Sequence, residues 1–270
     1  VQRLVQLPPA PTRADRAALA WWRAGFSLAD PVVARLALAA RFPSGGGALD
    51  FDGADDKVSF GDIAAIDGAT ALTVCEWYTP TNASAIGLLC GKAAAPGSPI
   101  FLFTHGDWAI GAENSITVGF VSTSPKGKVA TVFSAGALIH CGFVYDGGGA
   151  ANADRLKILL NAVDQTVSFT GTVPTALGSG TDPVTVGATG NDSADLDGWL
   201  AHLKIWTAAL TAAEVAQEMN SYRPVRTANL VVWSPLDDGV SARDYSGNGN
   251  HGTVTGAVQI AGPPVSYGSE

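Results

Sequence analysis

From residue 48 onward, hydrophobic and polar residues alternate in short runs. Eleven of them are rich in Val, Ile, Leu and aromatics: residues 49–51, 57–60, 72–78, 86–91, 100–105, 116–121, 138–145, 156–161, 166–169, 184–186 and 199–206. Asp-Gly, Gly-Gly, Pro-Gly and Asn-Asp turn signals separate them. A period of two, broken this often, predicts strands of two packed antiparallel sheets. One helix interrupts the series. Thr211 caps it, Glu214 completes a capping box, Val215 and Met219 are set to face inward at an i, i+4 spacing, and Arg223-Pro224 stops it.

The first 47 residues have another texture. Pro8, Pro9 and Pro11 make an extended lead, Thr12 caps a helix with Asp15 three residues on, and Gly25 ends it. That helix carries Trp21 and Trp22 with Arg13, Arg16 and Arg23, a face that wants a partner surface, either the chain's own sandwich or another subunit. Residues 32–42 read as helix from the Asp30-Pro31 start, or as a strand, and residues 43–47 as a joint. The expected organisation is an anchor arm at 1–47, a sandwich at 48–222, and a segment at 223–270 that completes the same sandwich, since some forty residues cannot bury a core alone.

Composition narrows the class. Charged residues make up 15% of the chain, with five glutamates and six lysines beside 32 glycines, an alphabet that excludes a helical bundle or coiled coil. The net charge of −8 argues against nucleic-acid binding, which needs a basic footprint. Its distribution is uneven: residues 1–41 carry six arginines against two aspartates, whereas residues 42–222 carry seven positive and eighteen negative groups. No apolar run approaches the ~20 residues of a membrane span. Residues 1–11 lack the basic start, apolar run and cleavage site of a secretory signal. Cys75, Cys90 and Cys141 show no pairing or metal spacing, and Cys75 and Cys141 read as buried thiols, which fits a reducing compartment.

Several stretches carry a family likeness. The run from Leu49-Asp50-Phe51-Asp52-Gly53 to Asp55-Asp56-Lys57-Val58 resembles the strand–turn–strand that opens laminin-G-like, concanavalin A-like jelly-roll domains. Leu72 to Trp77, Phe143 to Gly147 with Leu156 to Asn161, and Gly198 to Trp206 with Ala209 to Glu214 resemble later strands of that family in the same order. Leu230 to Gly239 and Asp244 to Thr253 resemble a segment that commonly precedes such a domain and here follows it, either completing the same sandwich in permuted order, the preferred reading, or opening a second, truncated copy. Two positions depart from the pattern: Ala201-His202 stands where paired acids are frequent, and residues 138–142 replace an aromatic–His–His strand. The resemblance implies an all-β, two-sheet antiparallel sandwich. It also implies the family's adhesion and glycan-binding roles, which include phage tail fibres and head decorations.

Catalysis finds little support in the residues. A glycan hydrolase needs two carboxylates flanking one bond, and no Glu-x-Asp-x-Glu strand exists. Glu76 has Val74 and Tyr78 as same-face neighbours and reads as a rim or interface residue. No Gly-x-Ser-x-Gly elbow, zinc spacing or phosphate loop appears, and His140 and His202 read as structural. Asp237, Asp238, Asp244, Asn248 and Asn250 crowd oxygen donors in a way that suits Ca2+, or else shape Asx turns; Asp50, Asp52, Asp55 and Asp56 form a second acidic cluster.

Sugar binding requires an aromatic plane beside polar groups. The loop candidates are Asp107 and Trp108, with His105 before them, and Asn191, Asp192 and Asp195 before Trp199; Trp77, Trp199, Trp206 and Trp233 read as core. The expectation is a non-catalytic virion surface protein. It would be held to other virion structural proteins through residues 1–41 and would present its sandwich to a host-surface glycan. A secreted or cell-surface adhesion protein and a structural cement protein are the alternatives.

Overall fold

The computed structural model describes residues 46–94, 99–109, 111–120, 125–130 and 133–263. The arm with Arg13, Arg16, Trp21, Trp22 and Arg23 lies outside the described residues. Within them, two antiparallel sheets face each other across one core. The first sheet runs in the order β10 (Val163–Asp164), β9 (Leu156–Leu160), β8 (Ile139–Asp146), β3 (Ala71–Pro80), β13 (Asp197–Trp206), β1 (Gly47–Asp52), β17 (Val258–Ala261), and β14 (Leu230–Ser234) pairs with the second half of β13. The second runs β11 (Ser168–Thr170), β7 (Lys126–Ala130), β6 (Gly111–Gly119), β5 (Phe101–Asp107), β4 (Gly87–Lys92), β12 (Val184–Gly187), β2 (Lys57–Ser59), β16 (Gly252–Thr255), β15 (Ser241–Ala242). With two short helices, α1 (Asn152–Arg155) and α2 (Ala212–Met219), this is the all-β two-sheet sandwich that the alternating pattern predicts, in the jelly-roll form that the resemblance implies.

The central strands show how the sequence builds the layers. In β3, Leu72, Val74 and Tyr78 join the core between the sheets, while Cys75 turns the other way and packs with Trp206, Leu210 and Val215. In β13 strict alternation would fail, because Leu200, Leu203 and Ile205 all reach the core. A bulge resolves this: His202 takes a left-handed φ of 56°, the register against β3 shifts between Ala201 and Lys204, and the extra residue returns Leu203 to the inner face.

Lys204 on the outward face of β13 anchors α2. Its buried Nζ donates to Glu218 Oε2 at 2.8 Å and to the carbonyls of Glu218 and Ser221, and Glu218 Oε1 accepts the N–H groups of Val225 and Arg226. Val215 is buried as expected, but the second buried position of the helix is Glu218, with Met219 half-buried. A charge takes the place of the apolar residue because Lys204 lies beneath it.

The C-terminal strands are spread over both sheets: β14 pairs β13, β16 pairs β2 and β17 pairs β1. The free edge of β14 is covered by side chains instead of a strand. Asp244 Oδ1 accepts the N–H groups of Trp233 and Ser246, its Oδ2 accepts Asn250 N–H and Ser246 Oγ–H, and Asn248 and Asn250 donate to the Val231 carbonyl. The β1–β17 pair brings the chain back to where it entered, since Gly262 N–H donates to the Gly46 carbonyl at 2.9 Å.

Candidate functional site

Two loops meet on the nine-stranded sheet, on the face away from the core, and the turn between β1 and β2 adjoins the second of them through Lys57 and Asp192. Leu88, Ala93 and Leu102 form a small buried apolar patch there, and both Trp108 and Ala194 pack against it. Trp108 follows β5 in a tight turn, and its indole lies on β6 directly over Gly119. Lys126 Nζ stands 5.9 Å from the ring centroid. Asp107 holds that lysine: Oδ1 accepts from Lys126 Nζ at 2.7 Å and from Ala109 N–H at 3.0 Å, inside a side chain only 1% exposed. Of the expected pair, Trp108 is half-buried at the surface, whereas Asp107 is committed to an internal ion pair. His105 also points inward; its Nδ1 accepts from Tyr78 Oη at 2.6 Å, its Nε2 donates to the Ala83 carbonyl, and burial lowers its pKa.

Residues 189–195 form the second wall. Asp192 and Ala194 adopt left-handed φ values of 53° and 59°, and the Ala194 carbonyl accepts Leu88 N–H, which ties the loop to β4. Asn191 is exposed, with its N–H donated to the Ala94 carbonyl, and Asp192 is paired to Lys57. Asp195 is half-buried, and its Oδ1 is out of solvent with no hydrogen-bond partner. Desolvation first, and then the carboxylates of Asp192, Asp55 and Asp52, hold its pKa above the usual range.

Those neighbours belong to the third element, the turn between β1 and β2. Asp52, Asp55 and Asp56 place ligand oxygens within 4.8 Å of one another, and among the described residues they are the one such group of His, Cys, Asp and Glu. The turn is held by its own acids: Asp56 Oδ2 accepts Asp52 N–H at 2.8 Å, and Asp52 Oδ1 accepts Ala54 N–H. Gly256, at φ 74° in the turn after β16, lets that turn pass so close that a Cβ there would fall 1.9 Å from Asp56 Oδ1. Such a concentration of carboxylate oxygens is a candidate cation site. The other proposed calcium ligands are dispersed in use: Asp244 is filled by four donors, Asp237 accepts from Tyr222 Oη, Asp238 accepts Val240 N–H, and Asn248 caps β14.

Glu76 is not a rim residue. It is fully buried on the inner face of β3, both carboxyl oxygens lack a hydrogen-bond partner, and burial alone raises its pKa well above normal. The apolar neighbours Val74 and Tyr78 mark a core position despite the charge of the residue between them. A walled-in carboxyl cannot serve as half of a hydrolytic pair. Trp199 and Trp206 are buried as expected, but Trp77 and Trp233 are half-exposed, and all three cysteines are buried free thiols. No helix among the described residues is long and apolar enough to cross a membrane.

Fold and site together define a two-sheet jelly-roll sandwich that carries an aromatic residue and an acidic turn near one loop of its nine-stranded sheet. Residues 52–216 match the family described as the Concanavalin A-like lectin/glucanases superfamily, and the chain belongs to that family. No curated protein matches the sequence. Among solved structures, a protein of Bacteroides ovatus taken to bind carbohydrate is similar at a TM-score of 0.63 and 15% identity, over 83% of this chain and 62% of that one. A heptameric SAP-like pentraxin of Limulus polyphemus is similar at 0.56 and 15% identity, over 82% of this chain and 97% of that one. Tailspike protein 2 of bacteriophage CBA120 is similar at 0.50 and 13% identity, over 70% of this chain and 30% of that one. At these identities the likeness is one of fold.

Proposed function

We propose that the chain is a non-catalytic, extracellular glycan-binding module that grips carbohydrate on the outward face of its nine-stranded sheet. The convergence of Trp108 and residues 189–195 on one apolar patch carries this reading, because it sets an aromatic plane and polar loop groups around a single surface. Family membership and the carbohydrate-binding description of the Bacteroides ovatus protein support it. Ca2+ is the cation that suits Asp52, Asp55 and Asp56, and the nearby Asp195, whose buried oxygen lacks a donor, adds to the negative field around them. By stiffening the turn and the 189–195 loop together, the ion would fix one wall of the sugar site. A glycan array probed with the protein in calcium, in chelator, and as Trp108→Ala tests the proposal. Binding that needs both calcium and Trp108 supports it; binding indifferent to Trp108 refutes the assignment of the face.

A virion setting is the second reading, favoured by the tailspike likeness and by the basic arm. There Arg13, Arg16, Trp21, Trp22 and Arg23 would dock residues 1–41 onto other virion proteins while the same face meets a host glycan. Deleting residues 1–41 should then abolish incorporation into particles, and unchanged incorporation would rule the anchor out.

A further inference from the structure

A second concavity opens at the far end of the sandwich. The acidic turn adjoins the first residue of β13, since Asp52 pairs with Asp197, whereas this cleft is lined by Thr207, just past the last. A ten-residue strand separates the two by about 30 Å. The cleft holds about 340 Å3, within the range of small-molecule sites. One wall is Asp62 with the 3-10 turn Ala64–Ile66; the other is Asn229 and the start of β14; Asn248 and Asn250 close the rim.

Each wall is held from behind. Lys92, fully buried, donates to Asp62 Oδ1 at 2.6 Å, and its Nζ is saturated by Asp67 and the Ile63 carbonyl. Asn229 sits at φ 63°, fixed by Thr207 N–H donating to its carbonyl. Asn248 and Asn250 direct their amide nitrogens into the Leu230 and Val231 carbonyls, which leaves their Oδ1 atoms as the available groups. What remains toward the cleft is rich in acceptors, the second oxygen of Asp62 and two amide oxygens, with the Asn229 amide and the Thr207 hydroxyl beside them able to donate as well as accept. No lysine or arginine lines it. A ligand that offers hydroxyls, each both donor and acceptor, matches this lining, and the Asp62 charge with no cationic side chain in the lining disfavours an anion.

We infer that this cleft is a second ligand site, built for a neutral, hydroxyl-rich molecule of single-sugar size. It is independent of the Trp108 face and excludes sialate, phosphate and sulfate groups. A module with sites at both ends of one strand engages two glycan branches at once.

The test is a backbone-amide NMR titration of the full chain with methyl glucoside, methyl galactoside and methyl mannoside, and with N-acetylneuraminic acid as the anionic control. Shifts at residues 62–65, 229–231 and 248–250 with at least one neutral glycoside, and none with the acid, are expected. Asn229→Gly keeps the left-handed backbone and removes the amide, and should weaken that binding about fivefold to tenfold. Ala64→Phe fills the cleft without touching its hydrogen-bonded frame and should abolish it. No shift at these residues with any neutral glycoside overturns the site, as does a response to the acid alone. Shifts confined to Trp108 and residues 189–195 overturn it while leaving the first site standing.

Discussion

The indole of Trp108 rests on the bare α-carbon of Gly119, where a Cβ would come within 2.1 Å of ring atom Cη2. Gly119 is therefore the seat of the aromatic plane. Gly119→Ala must push the ring off the sheet, away from Lys126 and the Leu88–Leu102 patch. Overpacking of this kind costs about 1–3 kcal/mol. A lowered melting temperature, a red-shifted tryptophan emission and lost glycan binding are expected together; an alanine variant that binds unchanged would separate the ring from the function.

Glu76 makes stability pH-dependent in a definite direction. Its folded pKa is raised by burial, above an unfolded value of about 4.3. Both states are protonated below that value, so the penalty is absent there and grows as pH rises. Glu76→Met removes an unpartnered buried polar group and should stabilise the protein by about 1–3 kcal/mol at neutral pH. Urea melts of both proteins at about pH 5 and about pH 8 read the difference, which must be larger at the higher pH. An equal gain at both would mean the carboxyl is not the cause.

His140 acts with the opposite sign. Burial first, and then Lys204 and His202, hold its pKa down to about 3. Its contribution is complete above the unfolded value of about 6.5 and is lost as pH falls toward the folded one. Acid unfolding should begin below about pH 6.5 and be delayed in His140→Phe, whose ring keeps an edge contact to Trp77.

Two acidic groups should answer chelation differently. Asp244→Ala strips four donors of their acceptor and should cost about 3 kcal/mol. Thermal melts should show that loss in calcium and in chelator alike. Asp55→Asn should leave the chelated protein unchanged and erase the rise in melting temperature on adding calcium. If Asp244→Ala instead erased the calcium response, the ion would belong to the C-terminal loop.

The thiols offer a check on the core. Burial pushes Cys75 up to about 12, and Cys90 and Cys141 are raised by the same cause. A thiol reagent should find no fast-reacting cysteine in the native protein and three after denaturation.

Strands rich in Val, Ile, Leu and aromatics between turn signals were plain in the sequence, β3 and β8 among them. β7 was not: its core side offers only Gly127 and Val129, and its outward lysines pair with Asp107 and Glu113, so no apolar period exists to read. The His202 bulge was equally hidden, since the need for it arises from β3 and not from neighbouring residues. For the site, closeness along the chain pointed to Asp244 and its neighbours as one ligand set. The grouping of Asp195 with Asp52 and Asp55 depends on the β1–β13 register across some 140 positions, information that a linear pattern does not contain.

The hydrogen bond between Gly46 and Gly262 also sets how the molecule bears load. Force drawn through the two flanks acts at the same end of the β1–β17 pair, so it opens that ladder one rung at a time instead of shearing all rungs together. The ladder runs along β1 from Gly47 to Asp50, two residues short of Asp52. A pull that opened this ladder would therefore end beside the carboxylates of the acidic turn.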